Sequence, residues 1–157
     1  MKIYFDMDGV MADWDGQWNT HFPDINLDEH DRPILKKIIE IPNFWTDIPF
    51  IDSIKPLWDY CYYKYDIATL SSPLDYDHDR CITQKDLFLD KYLGDYEFER
   101  HYKQHADKCL FAGPDTLLID DKLSNVEEFR AKGGYAILHE PFNTKRTFDI
   151  LKYGFGL

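Results

Sequence analysis

The stretch Ile3-Tyr4-Phe5-Asp6-Met7-Asp8-Gly9-Val10 decides the fold of this 157-residue chain. Its first three residues form an apolar run of the kind that makes a short buried strand, and two aspartates follow at once. Gly9 permits the unusual backbone angles of a tight turn. The segment therefore predicts a strand whose carboxyl end carries Asp6 and Asp8.

Two later apolar runs end in polar side chains in the same way. Residues 65–70 are followed by Ser71-Ser72-Pro73, and residues 116–119 are followed by Asp120-Asp121. Helical patterns separate these runs, and such alternation is typical of a parallel sheet covered on both faces. Because ligands of these sheets bind at the carboxyl ends of the strands, we expect the polar side chains to meet at one edge.

The remaining patterns complete a single α/β domain over residues 1–157, with a three-layer, Rossmann-like parallel sheet. Ser124 and Glu127 have the spacing of a capping box at the start of a helix. Residues from about 15 to 55 are irregular and rich in proline and aromatics, and they indicate a small helical cap inserted after the first strand. Further strands are predicted at 98–102 and 135–138, and helices at 12–22, 34–41, 56–63, 79–93, 124–132 and after 141.

Composition limits the functions that this chain can have. It contains 18 basic and 29 acidic residues, so its formal charge is −11. A chain this acidic repels polyanions, so we expect no nucleic-acid polymer as a partner. No apolar stretch has the length of a transmembrane helix, and Asp6 and Asp8 interrupt the N-terminal run, which does not suit a signal peptide. We therefore expect no membrane partner.

The cysteine and histidine patterns predict no metal site. Cys61, Cys81 and Cys109 are widely spaced and form no CxxC pair, so we expect reduced thiols and a cytoplasmic location. His101 and His105 are four residues apart but lack a third ligand nearby, and two exposed polar histidines are the simpler interpretation.

The clustered carboxylates predict a hard cation. Several aspartates at one point repel each other unless a cation lies among them, and oxygen-only ligands suit Mg²⁺. A carboxylate held beside such a metal can attack phosphorus, which is the role we expect for Asp6. Asp8, two positions on, can protonate the leaving oxygen and later deprotonate the attacking water.

A bound phosphate also needs hydrogen-bond donors and positive charge. We expect the Ser71 hydroxyl and backbone N–H groups around residues 7–9 and Ser72 to donate. Lys108 is the candidate for the neutralising lysine, with Lys103 and Lys122 as competitors.

Four segments together resemble the four motifs of the haloacid dehalogenase-like (HAD) phosphohydrolases: residues 6–10, residues 71–73, Lys108 and residues 117–122. The motif sequences are most similar to those of the 5′(3′)-deoxyribonucleotidase branch. The similarity lies in the Asp-Met-Asp-Gly-Val start followed by Met-Ala-Asp, in the Ser/Thr-Ser-Pro motif and in the Leu-Leu-Ile-Asp-Asp-Lys motif. The resemblance implies a HAD-like fold and a small cap that closes over the site.

The resemblance also implies a role for each motif residue. Asp6 is then the nucleophile, Asp8 the acid and base, Ser71 a phosphate ligand and Lys108 the neutralising cation. Mg²⁺ is held by Asp6, the backbone carbonyl of Asp8 and Asp121. Asp120 lies close by in support.

The segment Asn43-Phe44-Trp45 resembles the aromatic pair that lines the base pocket of the deoxyribonucleotidases, and Trp14 is a second candidate for that pocket. The implied substrate is a deoxyribonucleoside monophosphate such as dUMP or dTMP, and the implied protein is a monomer or a homodimer. Two alternatives remain open. One is a HAD phosphatase for another small phosphorylated metabolite, and the other is a receiver-like phospho-acceptor signalling domain.

Overall fold

A computed structural model of the chain describes residues 1–25 and 32–156, and these residues form two compact units. The first unit consists of Met1–Ala12, Ile51–Ser72 and Phe98–Leu157, and the second of Asp13–Phe50 and Pro73–Glu97. Residues 26–31 of the expected cap, about 15 to 55, lie outside the described residues. The cap and its bounds stay a prediction.

The first unit is built on a five-stranded, fully parallel sheet with the strand order β3-β2-β1-β4-β5. The motif-bearing strand β1 is therefore central, with β2 on one side and β4 on the other. This arrangement confirms the predicted α/β class. The strands are β1 (Lys2–Phe5), β2 (Asp66–Ser71), β3 (Glu99–Tyr102), β4 (Thr116–Asp120) and β5 (Tyr135–Leu138).

Helices cover both faces of this sheet. Tyr4 packs edge-on against Phe129 of α4 (Leu123–Ala131), whereas the next residue, Phe5, packs against Trp58 of α2 (Lys55–Tyr62). Successive side chains of a strand point to opposite faces, so α4 and α2 lie on different sides of the sheet. Apolar side chains therefore fill both faces, as expected for a parallel sheet.

The predicted capping box at α4 is wrong. The helix begins at Leu123, its N-cap is Lys122, and Ser124 lies one residue inside the helix with no capping hydrogen bond from the N-cap side chain. The reason is the preceding aspartate: the N–H of Lys122 donates to Asp120 Oδ1 at 2.9 Å, so the turn is closed from β4. At its other end α4 stops before Gly133, whose φ of +89° is the left-handed region that glycine favours.

The second unit contains α1 (Trp14–His21), a 3₁₀ helix (Arg32–Glu40) and α3 (His78–Leu93). The predicted helical piece at 34–41 is thus a 3₁₀ helix. Two glutamines hold the backbone of the aromatic segment: Gln17 Nε2 donates to the carbonyl of Phe44 at 2.9 Å, and Gln84 Oε1 accepts from the N–H of Trp45 at 3.1 Å.

The chain continues after β5 with α5 (Thr144–Asp149), which runs into a π-helical turn (Ile150–Gly154). Cys61, Cys81 and Cys109 are all free thiols. Within residues 1–25 and 32–156, no helix has the length and apolar character needed to cross a membrane.

The position of α4 predicts opposite outcomes for two alanine substitutions in the same helix. Phe129→Ala removes a fully buried ring and should lower the free energy of unfolding by about 3–5 kcal/mol. Ser124→Ala should change it by less than about 0.5 kcal/mol, because Ser124 is exposed and is not the N-cap. Urea unfolding measures both changes. A loss of about 1 kcal/mol for Ser124→Ala would show that Ser124 does cap α4.

Candidate functional site

The carboxyl ends of β1 and β4 bring three aspartates together. Asp6, Asp120 and Asp121 each present a carboxylate oxygen, and these oxygens all lie within 4.8 Å of one another. The sheet register explains the approach, since Phe5 pairs with Ile119 and the N–H of Asp6 donates to the carbonyl of Ile119 at 2.9 Å. The pairing of β1 with β4 therefore places Asp6 beside Asp120.

Lys108 lies between two of these carboxylates. Its Nζ is 2.9 Å from Asp6 Oδ1 and 2.8 Å from Asp120 Oδ2, and the side chain has no exposure to solvent. It is carried by a 3₁₀ helix, His105–Phe111, that precedes β4. Lys103 is exposed, and its backbone N–H donates to the carbonyl of Ser71 at 3.0 Å. Of these two candidates, Lys108 is the one whose ammonium group reaches the carboxylates.

Burial and crowding of charge shift the pKa values in this cluster. Burial raises the pKa of Asp121 to about 8, and the neighbouring charges of Asp6, Asp120 and Asp8 act in the same direction. Burial and the Asp6 charge also raise the pKa of Asp120, although Lys108 opposes them. Burial lowers the pKa of Lys108, but Asp6 and Asp120 outweigh it, so the pKa of Lys108 lies above its ordinary value. The cluster thus carries an excess of negative charge that one lysine does not balance.

Gly9 allows Asp121 to approach the loop after β1. Its φ is +75°, and a Cβ at this position would lie 2.0 Å from Asp121 Oδ2. The loop is closed by the carbonyl of Met7, which accepts from the N–H groups of Met11 and Ala12, each at 2.9 Å. A side chain at position 9 would collide with the Asp121 carboxylate, which explains why the aspartate pair is followed by glycine.

Ser71 and Ser72 stand at the end of β2, next to β1. Ser71 is the last residue of the strand and is fully buried. The hydroxyl of Ser72 lies 3.1 Å from Nδ1 of His105, at the start of the Lys108 helix. Both serines therefore belong to the same unit as the carboxylate cluster.

Sequence reasoning missed the contacts of two further polar residues of this unit, Asn125 and His105. It interpreted His101 and His105 as exposed histidines, whereas both are partly buried. Asn125 Nδ2 donates to both oxygens of Asp120, at 3.0 Å each, and lies 3.3 Å from His105 Nδ1. His105 precedes Lys108 by three residues, which is one 3₁₀ turn, and this spacing is the signal that could have pointed to it. Asn125 lies in the first turn of α4, and no spacing in the sequence singles it out.

The three aromatic residues expected at a base pocket belong to the second unit, where Phe44 contacts the other two. The ring of Phe44 lies 6.0 Å from that of Trp14 and 5.3 Å from that of Trp45, between centroids. Phe44 and Trp45 are buried, whereas Trp14 is partly exposed and stacks on Trp18. Such burial is typical of core side chains, and the contact with a base stays a prediction.

Comparison with known proteins finds no matching family model and no matching curated protein. Solved structures do match. A HAD-superfamily hydrolase of subfamily IA from Geobacter sulfurreducens aligns with a TM-score of 0.57 at 12% identity, over 96% of this chain and 95% of its own. The protein YfnB of Bacillus subtilis, described as a HAD-hydrolase and solved with magnesium, aligns with a TM-score of 0.55 at 13% identity, over 96% and 97%.

A third match is a HAD family enzyme of Bacteroides thetaiotaomicron, whose wild-type form was solved with magnesium and inorganic phosphate. It aligns with a TM-score of 0.52 at 16% identity, over 89% of this chain and 94% of its own. At these identities the matches concern the fold. The chain has the α/β fold of the HAD hydrolases, with the parallel sheet that the sequence predicts.

The raised pKa of Asp121 makes stability depend on pH in metal-free buffer. The folded chain holds the Asp121 proton from its ordinary pKa of 3.8 up to about 8, so stability is lost as the pH rises through that range. Asp121→Asn cannot ionise and escapes this loss. In EDTA the variant should therefore melt above the wild type, by more at about pH 9 than at about pH 6. Thermal unfolding at both pH values measures the difference. A variant that melts below the wild type at about pH 9 would contradict the raised pKa of Asp121.

Proposed function

We propose that this chain is a Mg²⁺-dependent phosphomonoesterase that forms an aspartyl phosphate on Asp6. The observation that carries the proposal is the meeting of Asp6, Asp120 and Asp121 beside the buried ammonium of Lys108, at the carboxyl edge of a parallel sheet. Catalytic groups commonly occupy this edge in such folds. The similarity to HAD hydrolases solved with magnesium supports the same chemistry.

The donor set of the cluster fits magnesium. It offers carboxylate oxygens from Asp6, Asp120 and Asp121, and such oxygens are the ligands that Mg²⁺ prefers. Both oxygens of Asp120 already accept hydrogen bonds from Lys108, Asn125 and the N–H of Lys122. Asp6 and Asp121 are therefore the proposed carboxylate ligands, and Asp120 supports them. The resemblance to the HAD motifs adds the backbone carbonyl of Asp8. Bound there, Mg²⁺ would neutralise charge on the phosphate and on the carboxylates.

The proposed reaction has two steps. Asp6 Oδ1 accepts from Lys108 and from the N–H of Met7, at 2.8 Å, so the carboxylate is held in one orientation and Oδ2 attacks phosphorus. The bond from phosphorus to the ester oxygen breaks, and the carboxylic acid of Asp8 gives its proton to the leaving oxygen. Water then attacks the aspartyl phosphate, Asp8 takes its proton, and the phosphorus–Asp6 bond breaks to release inorganic phosphate.

The side chains that would hold the phosphate come from two places in the first unit. Lys108 supplies a full positive charge, and Ser71 and Ser72 stand at the end of β2. In the loop after β1, the N–H groups of Met7 and Gly9 already donate to Asp6 Oδ1 and to the carbonyl of Ala12. The fixed positions of Lys108 and the two serines are what stabilises the charge that spreads over the phosphoryl oxygens during transfer.

The finer part of the proposal is the substrate, a pyrimidine deoxyribonucleoside monophosphate such as dUMP or dTMP. It rests on the resemblance of the motifs to the 5′(3′)-deoxyribonucleotidases, including the Asn43-Phe44-Trp45 segment. Stacking of a base on an aromatic ring contributes about 1–3 kcal/mol. We further infer that the enzyme is cytoplasmic, because free thiols such as those of Cys61 and Cys81 persist in that compartment. We also infer that it is a monomer or a homodimer.

Substitution of the nucleophile tests the reaction. Asp6→Asn should lower hydrolysis of p-nitrophenyl phosphate by about 10³-fold or more, because the amide does not attack phosphorus. EDTA should abolish wild-type turnover and Mg²⁺ should restore it. Asp115→Asn makes the same chemical change at an exposed position of the same unit and should leave the rate unchanged. Full activity of Asp6→Asn would show that Asp6 is not the nucleophile. A wild type that forms a stable phosphoprotein without turnover would favour the receiver-like alternative.

A substrate panel tests the finer proposal. The kcat/KM values for dUMP and dTMP should exceed those for UMP and for glucose 6-phosphate. Trp14→Ala should lower kcat/KM for dUMP by about 5- to 150-fold, the equivalent of one base stack, and leave p-nitrophenyl phosphate unaffected. Trp14 is chosen because it is partly exposed, whereas Phe44 and Trp45 are buried and their loss would disturb folding. A sugar phosphate that turned over fastest would point to the other class of HAD phosphatase.

A further inference from the structure

His105 is a histidine of the first unit that the proposed reaction does not use. It begins the 3₁₀ helix that carries Lys108, three residues later. A 3₁₀ helix has three residues per turn, so positions 105 and 108 lie on the same face of it. The His105 ring Nδ1 is 3.1 Å from Ser72 Oγ and 3.3 Å from Asn125 Nδ2.

These contacts continue without a break to the proposed nucleophile. Asn125 Nδ2 donates to Asp120, at 3.0 Å from each oxygen, and Asp120 Oδ2 lies 2.8 Å from Lys108 Nζ. Lys108 Nζ in turn lies 2.9 Å from Asp6 Oδ1. The chain of polar contacts thus links the residue after β2, the Lys108 helix, α4, and the ends of β4 and β1.

The network fixes the proton on the His105 ring. The two Asp120 oxygens determine which end of the Asn125 amide faces them, because the reversed amide would place its oxygen against a carboxylate. The Asn125 nitrogen that also faces His105 can only donate, so Nδ1 must accept. The ring proton is then on Nε2, and the single lone pair of Nδ1 is shared by the Asn125 amide, at 3.3 Å, and the Ser72 hydroxyl, at 3.1 Å.

We propose that His105 is a positioning residue: its neutral ring, accepting at Nδ1, holds Ser72 and Asn125 and thereby fixes Asp120 and Lys108 for phosphate binding. The catalytic consequence rests on the proposed phosphomonoesterase function, whereas the state of the ring does not. A polar network of this kind, partly buried at His105 and Ser72 and fully buried at Asp120 and Lys108, restricts each member to one orientation. Loss of such supporting contacts costs about 10- to 100-fold in activity at metal sites.

Three histidine variants test the role in catalysis. His105→Ala should lower kcat/KM for p-nitrophenyl phosphate by about 10- to 100-fold and raise the inhibition constant of inorganic phosphate. His105→Asn places an amide oxygen near the position of Nδ1 and should recover most of both losses. His101→Ala is the matched control, because His101 is also partly buried and packs on Tyr4 and Phe111 outside the network. Melting temperatures show whether the alanine variants lose comparable stability.

A measurement on the ring itself separates this inference from the proposed function. Imidazole ¹⁵N NMR of the wild type should show the His105 Nδ1 unprotonated and Nε2 protonated. If the wild type hydrolyses no phosphomonoester but shows this tautomer, the proposed function fails and the network stands. A proton on Nδ1 overturns the inference. So does an active wild type in which His105→Ala behaves like His101→Ala, or in which His105→Asn is no better than His105→Ala.

Discussion

The buried contact of Lys108 with Asp6 and Asp120 is the interaction on which the site depends. An ammonium group or a carboxylate taken out of water alone costs several kcal/mol, and only close pairing of opposite charges offsets that cost. Lys108 Nζ lies within 2.9 Å of one oxygen from each aspartate, and none of the three side chains is more than slightly exposed. The lysine therefore joins β1 to β4 through their side chains, at the point where the backbone pairing of these strands ends.

Backbone pairing brings the same residues into position before any side chain acts. The N–H of Asp6 donates to the carbonyl of Ile119, and the N–H of His139 donates to the carbonyl of Asp120 at 2.8 Å. The hydrogen-bond ladder thus extends one residue beyond the strands and fixes the backbone of both aspartates. Because β1 is the central strand, its aspartates have a strand end on each side, which an edge strand would not provide.

The sequence predicted the local features of the site well. The apolar run before Asp6 predicts a buried strand, and the structure has β1 at Lys2–Phe5. Glycine at position 9 predicts a tight turn, and the φ of Gly9 is +75°. The polar residues at the ends of β2 and β4 were likewise predicted from the apolar runs before them. These predictions succeeded because each depends on a few adjacent residues. The class of fold followed from the alternation of strands and helices in the same way.

Other features depend on contacts that the sequence does not contain. Lys103 and Lys108 both precede β4, and only the three-dimensional path of the 3₁₀ helix shows which ammonium reaches Asp6. Ser124 had the spacing of a cap, but Asp120 already accepts the first N–H of that turn. Asn125 and His105 matter through their partners, which are distant in sequence. Several groups compete for each capping or ligand role. The local sequence shows only one of them, and the others are brought near by the fold.

The balance of charge explains how so acidic a chain could hold a phosphate. Asp6 and Asp120 contact the buried ammonium of Lys108, and Asp121 presents an oxygen within 4.8 Å of theirs. Burial, together with these neighbouring charges, raises the pKa of Asp121. A divalent cation among these oxygens would remove most of the local negative charge, and the long-range repulsion from a formal charge of −11 is weakened by salt beyond about 10 Å. The sign of the field at the site is then set by Lys108 and the metal rather than by the composition of the chain. An acidic protein and an anionic substrate are therefore compatible when a divalent cation is bound among these oxygens.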